Sequence, residues 1–126
     1  MLQALNLNMM DSGTWEGLRL KLPREIEELE WDIVLVDGPA GYCPDCPGRF
    51  QSIYTAATLR RPYYPDSPAP LTIVDDCDRQ VEKQYSDLFL GRTAFIGAIS
   101  RPASPNVEKN KQCFYRSRRS AYNASI

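Results

Sequence analysis

The feature that most constrains this chain is a short apolar run that ends in an acid. Residues 33–36 read Ile-Val-Leu-Val, and Asp37, Gly38 and Pro39 follow directly. A continuous apolar run of this length is typical of a strand covered on both faces, as in a parallel sheet. Ligands of such sheets bind beyond the carboxyl ends of the strands, which is where Asp37 would lie. A simple turn acid after a core strand is the alternative.

The same pattern recurs later in the chain. Residues 71–74 read Leu-Thr-Ile-Val, and the acids Asp75 and Asp76 follow them. Between the two runs, apolar residues spaced i, i+3, i+4 and i+7 over residues 50–57 predict a helix that ends before the proline-rich residues 62–70. Because a strand, a helix and a strand follow one another, we expect the strands to pair in parallel through a right-handed crossover.

Weaker patterns complete the predicted domain. Residues 24–30 predict a short acidic helix, and residues 79–90 predict a longer helix whose apolar stripe is formed by Val81, Tyr85 and Leu88. Two further strands, which would form the far edge of the sheet, are predicted at residues 94–99 and 112–115.

The composition excludes several classes of protein. At 126 residues the chain is long enough for one domain, and 43% hydrophobic with 25% charged residues is typical of a globular protein. No apolar run approaches the roughly 20 residues that span a bilayer, so we predict no membrane segment in this chain. The net charge of −1 argues against a nucleic-acid partner. The predicted parts are an irregular lead-in (1–17), a partial α/β domain (18–100) and an edge strand with a basic tail (101–126).

Four cysteines and the absence of histidine limit the metal and redox chemistry. Cys43 and Cys46 form one C-x-x-C pair, whereas Cys77 and Cys113 are isolated in the sequence. A structural zinc site usually takes its ligands from two such pairs or from added histidines. We therefore expect ordinary loop cysteines, and a disulfide or redox pair at residues 43 and 46 is the alternative.

The two strand ends predict a cluster of acids. If the strands are parallel neighbours, Asp37, Asp75 and Asp76 emerge at one edge of the sheet and face one crevice. Clustered carboxylates repel one another unless a cation compensates them, and their oxygens suit a hard divalent metal. The sequence thus indicates a metal site at this edge, and the alternative is that Arg49 or Arg79 supplies the opposite charge.

Other side chains also allow two interpretations. Asp76 or Asp78 can cap the helix that begins near residue 79. Tyr63 and Tyr64 can stack on a sugar or a base, or they can pack the proline-rich loop onto the body of the protein. The arginines of residues 116–119 are explained either by a solvated end of the chain or by a polyanion-binding patch.

Three sequence blocks carry a resemblance to a known family. They read D-G-P-x-G-Y at residues 37–42, P-G-R-F at residues 47–50 and V-x-D-x-D-R-x-V-E at residues 74–82. Over residues 22–90 the chain resembles the plant glucuronoxylan 4-O-methyltransferase and irregular-xylem polysaccharide-biosynthesis family in the order and spacing of these blocks.

The resemblance implies an α/β fold that is a partial Rossmann-like class I methyltransferase domain. The implied sheet is mostly parallel, has three or four strands with an antiparallel edge, and lacks the N-terminal half of the fold. The implied activity uses S-adenosylmethionine to methylate glucuronic acid of a xylan-type polysaccharide. Family membership would place the protein in the Golgi lumen if an upstream anchor is missing from the sequence, and it leaves the oligomeric state open.

The resemblance also gives roles to individual residues. The implied catalytic residues are Asp37 and Asp76, and the implied substrate-binding residues are Arg49, Tyr42 and Arg79. Gly38 and Pro39 would contact the cofactor. By analogy with cation-dependent O-methyltransferases, Asp37, Asp75 and Asp76 would hold a divalent metal.

The glycine pattern separates the function hypotheses. None of the seven glycines forms a G-x-G turn, so the usual cofactor loop is absent from these 126 residues. The favoured hypothesis is therefore a fragment or truncated member of a polysaccharide O-methyltransferase family. The alternatives are a non-catalytic carbohydrate-binding or scaffold remnant of that fold and, more weakly, a metal-dependent hydrolase.

Overall fold

The computed structural model describes residues 17, 19–38, 49–77, 79–100 and 111–118. Within these residues lie three α-helices, α1 (Arg24–Glu27), α2 (Phe50–Leu59) and α3 (Gln80–Ser86), and four strands, β1 (Ile33–Val36), β2 (Leu71–Asp75), β3 (Phe95–Ser100) and β4 (Lys111–Arg116). A π-helical turn (Asp87–Gly91) and a 3₁₀ turn (Arg92–Ala94) connect α3 to β3. None of the described helices is both long and apolar enough to cross a bilayer.

The first two strands pair as the sequence predicts. β1 and β2 are parallel neighbours whose register runs from Ile33 opposite Leu71 to Val36 opposite Val74. α2 forms the crossover between them and packs against both strands. Its buried side follows the predicted spacing, with Ile53, at 0% exposure, pointing into the core.

The position of the last strand corrects the predicted topology. The sheet order is β1-β2-β4-β3, and β4 runs antiparallel to both of its neighbours. β1, β2 and β3 therefore share one direction, but only one of the three strand pairings is parallel. The predicted α/β class is confirmed, but the sheet is mixed rather than mostly parallel, and its antiparallel strand is internal rather than at the edge. Its alternate residues Cys113 and Tyr115 are 3% and 0% exposed. The neighbouring strands β2 and β3 on the two sides of β4 contribute to this burial.

β3, and not β4, forms the edge of the sheet opposite β1. A β-bulge between Phe95 and Gly97 interrupts its pairing with β4, and Gly97 has a φ of 154° that favours glycine. Bulges are common in edge strands, which they twist away from further pairing. Ile96 and Ile99 of this strand are 58% and 57% exposed. An exposed strand of this kind suits an edge position better than the central one.

Aromatic side chains form much of the core between the sheet and the helices. The rings of Tyr85 and Phe89 stack with centroids 6.0 Å apart, and Tyr54 meets Phe89 edge to face at 5.2 Å. The buried stripe of α3 includes Glu82 and Tyr85, whereas Val81 is exposed. Of the predicted stripe, Tyr85 is confirmed as buried and Leu88 packs partly buried against the core, whereas the prediction for Val81 is wrong.

One face of the sheet exposes large apolar side chains on its two outer strands, β1 and β3. Ile33 and Leu35 of β1 are 60% and 56% exposed, and Ile99 of β3 lies on the same face opposite Gln112. α2 and α3 pack together, and within the described residues no helix covers the opposite face of β1. The prediction that the first strand is covered on both faces is therefore wrong for this part of the chain.

A disulfide ties the end of β2 to β4. Cys77 and Cys113 are bonded, with their Cα atoms 5.9 Å apart. The expectation of ordinary loop cysteines is wrong for this pair. The antiparallel register explains the bond, because it places Cys113 opposite Val74, three residues before Cys77.

Candidate functional site

The carboxyl ends of β1 and β2 meet at one edge of the sheet. Since Val36 lies opposite Val74, the next residues in register are Asp37 and Asp75. Asp37 is exposed, whereas Asp75 is 4% exposed. The predicted meeting of the two strand ends is thus confirmed by the strand pairing.

Asp76 turns away from β2 in an unusual backbone conformation. Its φ is 55°, in the left-handed region that residues other than glycine seldom adopt, although aspartate tolerates it better than most. In this conformation its Oδ2 atom accepts a hydrogen bond from Nη2 of Arg49 at 2.8 Å. Nη2 of Arg79 lies 3.5 Å from the same oxygen. Two arginines therefore converge on one carboxylate oxygen.

A second carboxylate extends this group of charges. Nε of Arg79 lies 3.6 Å from Oε2 of Glu82, whose side chain is 2% exposed. Arg49 stands immediately before α2, and its side chain is 6% exposed. Arg49, Asp76, Arg79 and Glu82 thus alternate in charge, and we call them the carboxyl-edge cluster. The alternation balances two positive charges against two negative ones.

The cluster contains polar atoms that its own members do not satisfy. Within the described part of the chain, Nε and Nη1 of Arg49 and Nη1 of Arg79 are buried without a hydrogen-bond acceptor. Both carboxylate oxygens of Glu82 are buried without a donor at hydrogen-bond distance. An unsatisfied buried donor costs about 1–3 kcal/mol, and more when it is charged. Such a cost is expected where a ligand completes the bonding, and three arginine donors suit an anion.

The predicted metal site does not form among the described residues. No group of three or more histidine, cysteine or acidic side chains in this part of the chain could hold a metal ion. Asp76 instead pairs with Arg49 and Arg79, so the predicted alternative of an arginine counter-charge is confirmed. The prediction of Asp37, Asp75 and Asp76 as joint metal ligands is corrected accordingly, because arginines neutralise Asp76.

The capping prediction stays a prediction. The residue immediately before α3, Arg79, makes no capping hydrogen bond with its side chain, and the carboxylate of Asp76 pairs with Arg49 and Arg79. The other predicted cap, Asp78, lies outside the described residues.

Further predicted residues also fall outside the described part of the chain. They are Tyr42, predicted to bind substrate, Pro39, predicted to bind the cofactor, and the pair Cys43 and Cys46. Gly38 is described, and a Cβ atom built on it would meet no atom within 4 Å.

The described residues do not supply a site for the adenosyl part of S-adenosylmethionine. Such a site needs backbone N–H groups at a glycine-rich turn and an acid for the ribose. The chain has no G-x-G turn, and the buried donors of the carboxyl-edge cluster belong to arginines, which suit an anionic group. The cluster therefore fits an acidic acceptor better than the cationic methyl donor.

The two tyrosines of the proline-rich loop have different surroundings. The hydroxyl of Tyr64 donates to Oε1 of Glu30 at 2.7 Å, and this bond is the main reason why the pKa of Tyr64 is raised. The guanidinium of Arg61 lies 5.6 Å from the centre of its ring. Tyr64 thus packs the loop onto the body, as one of the two interpretations predicted. Tyr63 instead lies beside Arg118, with the guanidinium 6.0 Å from its ring centre.

Sequence reasoning missed the part that Glu82 plays. This residue ends the third of the three sequence blocks, and no role was predicted for it. A usable signal was present, because Glu82 is three residues after Arg79 and four before Ser86, on the side of α3 that also carries Tyr85. An acid on the buried side of a helix indicates a paired charge.

Comparisons with known proteins agree with the sequence blocks. The profile of the IRX15/IRX15L/GXM family matches residues 8–101. Protein IRX15-LIKE of Arabidopsis thaliana is 35% identical over 115 residues, which are 89% of this chain and 36% of that protein. Glucuronoxylan 4-O-methyltransferase 2 of the same plant is 41% identical over 75 residues, 59% of this chain and 26% of that protein. Arabinogalactan O-methyltransferase 2, also from that plant, is 32% identical over 80 residues, 64% of this chain and 27% of that protein.

The chain thus spans between about a quarter and little more than a third of the length of these relatives. No solved structure matches it. The family profile covers most of the chain, and its first and last matched residues enclose both strand ends of the candidate site. The chain belongs to the IRX15/IRX15L/GXM family.

Proposed function

We propose that this chain forms the acceptor-binding part of a polysaccharide O-methyltransferase that acts on glucuronic acid of a xylan-type chain. The observation that carries the proposal is the carboxyl-edge cluster, with three buried arginine donors lacking an acceptor. It lies beyond the carboxyl ends of two parallel strands, where open α/β sheets bind ligands. Relatives named as glucuronoxylan methyltransferases support the choice of substrate.

Arg49 and Arg79 would bind the carboxylate of the acceptor sugar. A guanidinium recognises a carboxylate through charge-assisted hydrogen bonds, and burial strengthens them. Asp76 holds both arginines by a shared oxygen atom and is proposed as a positioning residue. This role differs from the catalytic one that the resemblance implies for it.

Asp37 would accept the proton that the sugar hydroxyl loses when it is methylated. It is exposed after the end of β1, and the register of β1 with β2 places it opposite Asp75, the residue before Asp76. An acid in this position can serve as a general base when its carboxylate reaches the hydroxyl. The chain itself therefore orients the sugar and receives a proton.

The methyl donor proposed for the complete reaction is S-adenosylmethionine, which supplies an electrophilic methyl group when bound. Because the described residues do not fit its adenosyl group, we propose that polypeptide outside them binds it. Gly38 and Pro39 stay proposed contacts at the border of that site.

Two calorimetric titrations test the proposal. The 126-residue chain should bind S-adenosylmethionine negligibly but bind methyl glucuronide measurably. The Arg49→Gln variant should lose about ten-fold in affinity for the glucuronide, since one charge-assisted contact is removed. Lys111→Gln is the matched control, because Lys111 is an exposed cation outside the cluster.

The outcomes distinguish the hypotheses. Tight, stoichiometric binding of S-adenosylmethionine would show that the cofactor site lies within this chain. Glucuronide binding that Arg49→Gln leaves unchanged would refute the acceptor role of the cluster. If oligosaccharides bind only through other residues, the non-catalytic carbohydrate-binding alternative replaces the methyltransferase proposal.

A further inference from the structure

A groove lies at the end of the sheet opposite the carboxyl-edge cluster. Its volume is about 1000 Å³, at the upper end of the roughly 300–1,000 Å³ that is usual for ligand sites. Its walls come from the loop before β2, the turns between α3 and β3, and the residues that end β4. We call it the amino-end groove, and its polar lining includes Arg60, Tyr63, Ser67, Arg116 and Arg118.

The charge of this groove has one sign. Three arginines line it, and no acid is among its described lining residues. Arg60 is 8% exposed, and its Nη1 atom donates to the carbonyl oxygen of Leu90 at 3.4 Å. Nη1 of Arg116 donates to the carbonyl oxygen of Ala69 at 2.6 Å. Two of the three cations are therefore held on the groove wall by the backbone.

An aromatic ring accompanies the charges. Tyr63 lines the groove, with Arg118 beside its ring. The neighbouring loop contains Pro68, which restricts the backbone. These groups therefore lose little conformational entropy when a ligand binds. An aromatic face next to fixed guanidinium groups suits a ligand that has both a flat apolar surface and negative charge. A sugar ring that carries a carboxylate has both properties.

We propose that the amino-end groove binds an acidic polysaccharide segment at a second site, separate from the carboxyl-edge cluster. The choice of a glycan over other anions rests on the proposed function. β2 separates the two ends by four residue steps, or roughly 13 Å at about 3.3 Å per residue. A polymer that contacts both ends gains affinity through effective concentration, whereas a single sugar does not.

The test is a titration of the 126-residue chain, followed by amide NMR, with xylo-oligosaccharides that carry one glucuronic acid. Amide signals of residues 88–91 and of Thr93, which line the groove, should shift. The Arg116→Gln/Arg118→Gln double variant should bind about ten-fold more weakly, and added salt should weaken wild-type binding. Lys111→Gln should bind within about two-fold of wild type, because Lys111 begins the strand that Arg116 ends.

Several results would overturn the inference. Equal binding of a neutral xylo-oligosaccharide would remove the role of charge, and equal binding of tripolyphosphate would remove the choice of a glycan. An unaffected double variant would place the ligand elsewhere. The double variant also loses the hydrogen bond from Arg116 to the backbone. Tyr63→Ala keeps that bond and therefore provides a second test, and the NMR spectrum of the unbound Tyr63→Ala variant shows whether it is folded. A groove response that persists in Arg49→Gln would support this inference even if the acceptor role of Arg49 failed.

Discussion

Replacing Asp76 by asparagine removes one charge and little else from the carboxyl-edge cluster. Asparagine has nearly the same shape and also tolerates the left-handed backbone that Asp76 adopts, with φ at 55°. The Arg49 side chain is 6% exposed and would lose its charged partner, which lies 2.8 Å away. The change therefore isolates the electrostatic contribution of the carboxylate.

The expected cost follows from burial. Removing one partner of a fully buried ion pair costs about 3–5 kcal/mol. The side chain of Asp76 is 26% exposed, so we expect a smaller loss of about 2 kcal/mol in the free energy of unfolding. Asp76→Ala should cost about 1 kcal/mol more, because alanine is strained in the left-handed conformation.

Urea unfolding monitored by circular dichroism measures these values, and the slope against urea should stay unchanged. Glu28→Ala is the matched control, since Glu28 pairs with Arg24 on the surface and both side chains are more than half exposed. It should cost less than about 0.5 kcal/mol. An Asp76→Asn variant within about 0.5 kcal/mol of wild type would refute the account of a buried cluster held by Asp76.

Three other properties follow from the structure. Reducing the disulfide between Cys77 and Cys113, which are 36 residues apart, should lower the free energy of unfolding by about 4 kcal/mol, measured by urea titration with and without reductant; equal midpoints would contradict this. Burial raises the pKa of Tyr115, so the folded state keeps the phenol neutral while the unfolded tyrosine ionises near pH 10. Stability should therefore be unaffected by this group below about pH 10 and fall as pH rises further; Tyr115→Phe should reduce that fall, and an unchanged pH dependence would count against it. Leu35→Thr on the exposed face of β1 should change the free energy of unfolding, measured by urea titration, by less than about 1 kcal/mol, whereas a loss of several kcal/mol would mean that the face is covered.

The sequence predicted elements whose signals are local. α2 could be placed because its apolar spacing is regular and prolines follow it, and the parallel pairing of β1 with β2 followed from the helix between them. The position of β4 could not be predicted in this way. The connection from β3 would let β4 pair with either side of β3. The burial of Cys113 and Tyr115 favours the position between β2 and β3, but this burial exists only once the sheet has formed.

The candidate site was predictable in its place but not in its chemistry. Parallel strand ends explain why Asp37 and Asp75 come together. The pairing of Asp76 with two arginines depends on a left-handed turn and on the approach of α2, and neither leaves a periodic signal. The same is true of the disulfide, because its cysteines are brought together only by the register of β2 with β4.

The most direct test of the central claim observes the arginine side chain itself. The Nε–H group of Arg49 is buried and has no acceptor among the described residues, so its ¹⁵N–¹H signal should respond when an anion binds. Titration with methyl glucuronide should shift that signal saturably, and methyl glucoside, which lacks the carboxylate, should leave it unchanged. A saturable glucuronide response at other residues with no change at Arg49 would contradict the proposal that the carboxyl-edge cluster binds the acceptor sugar.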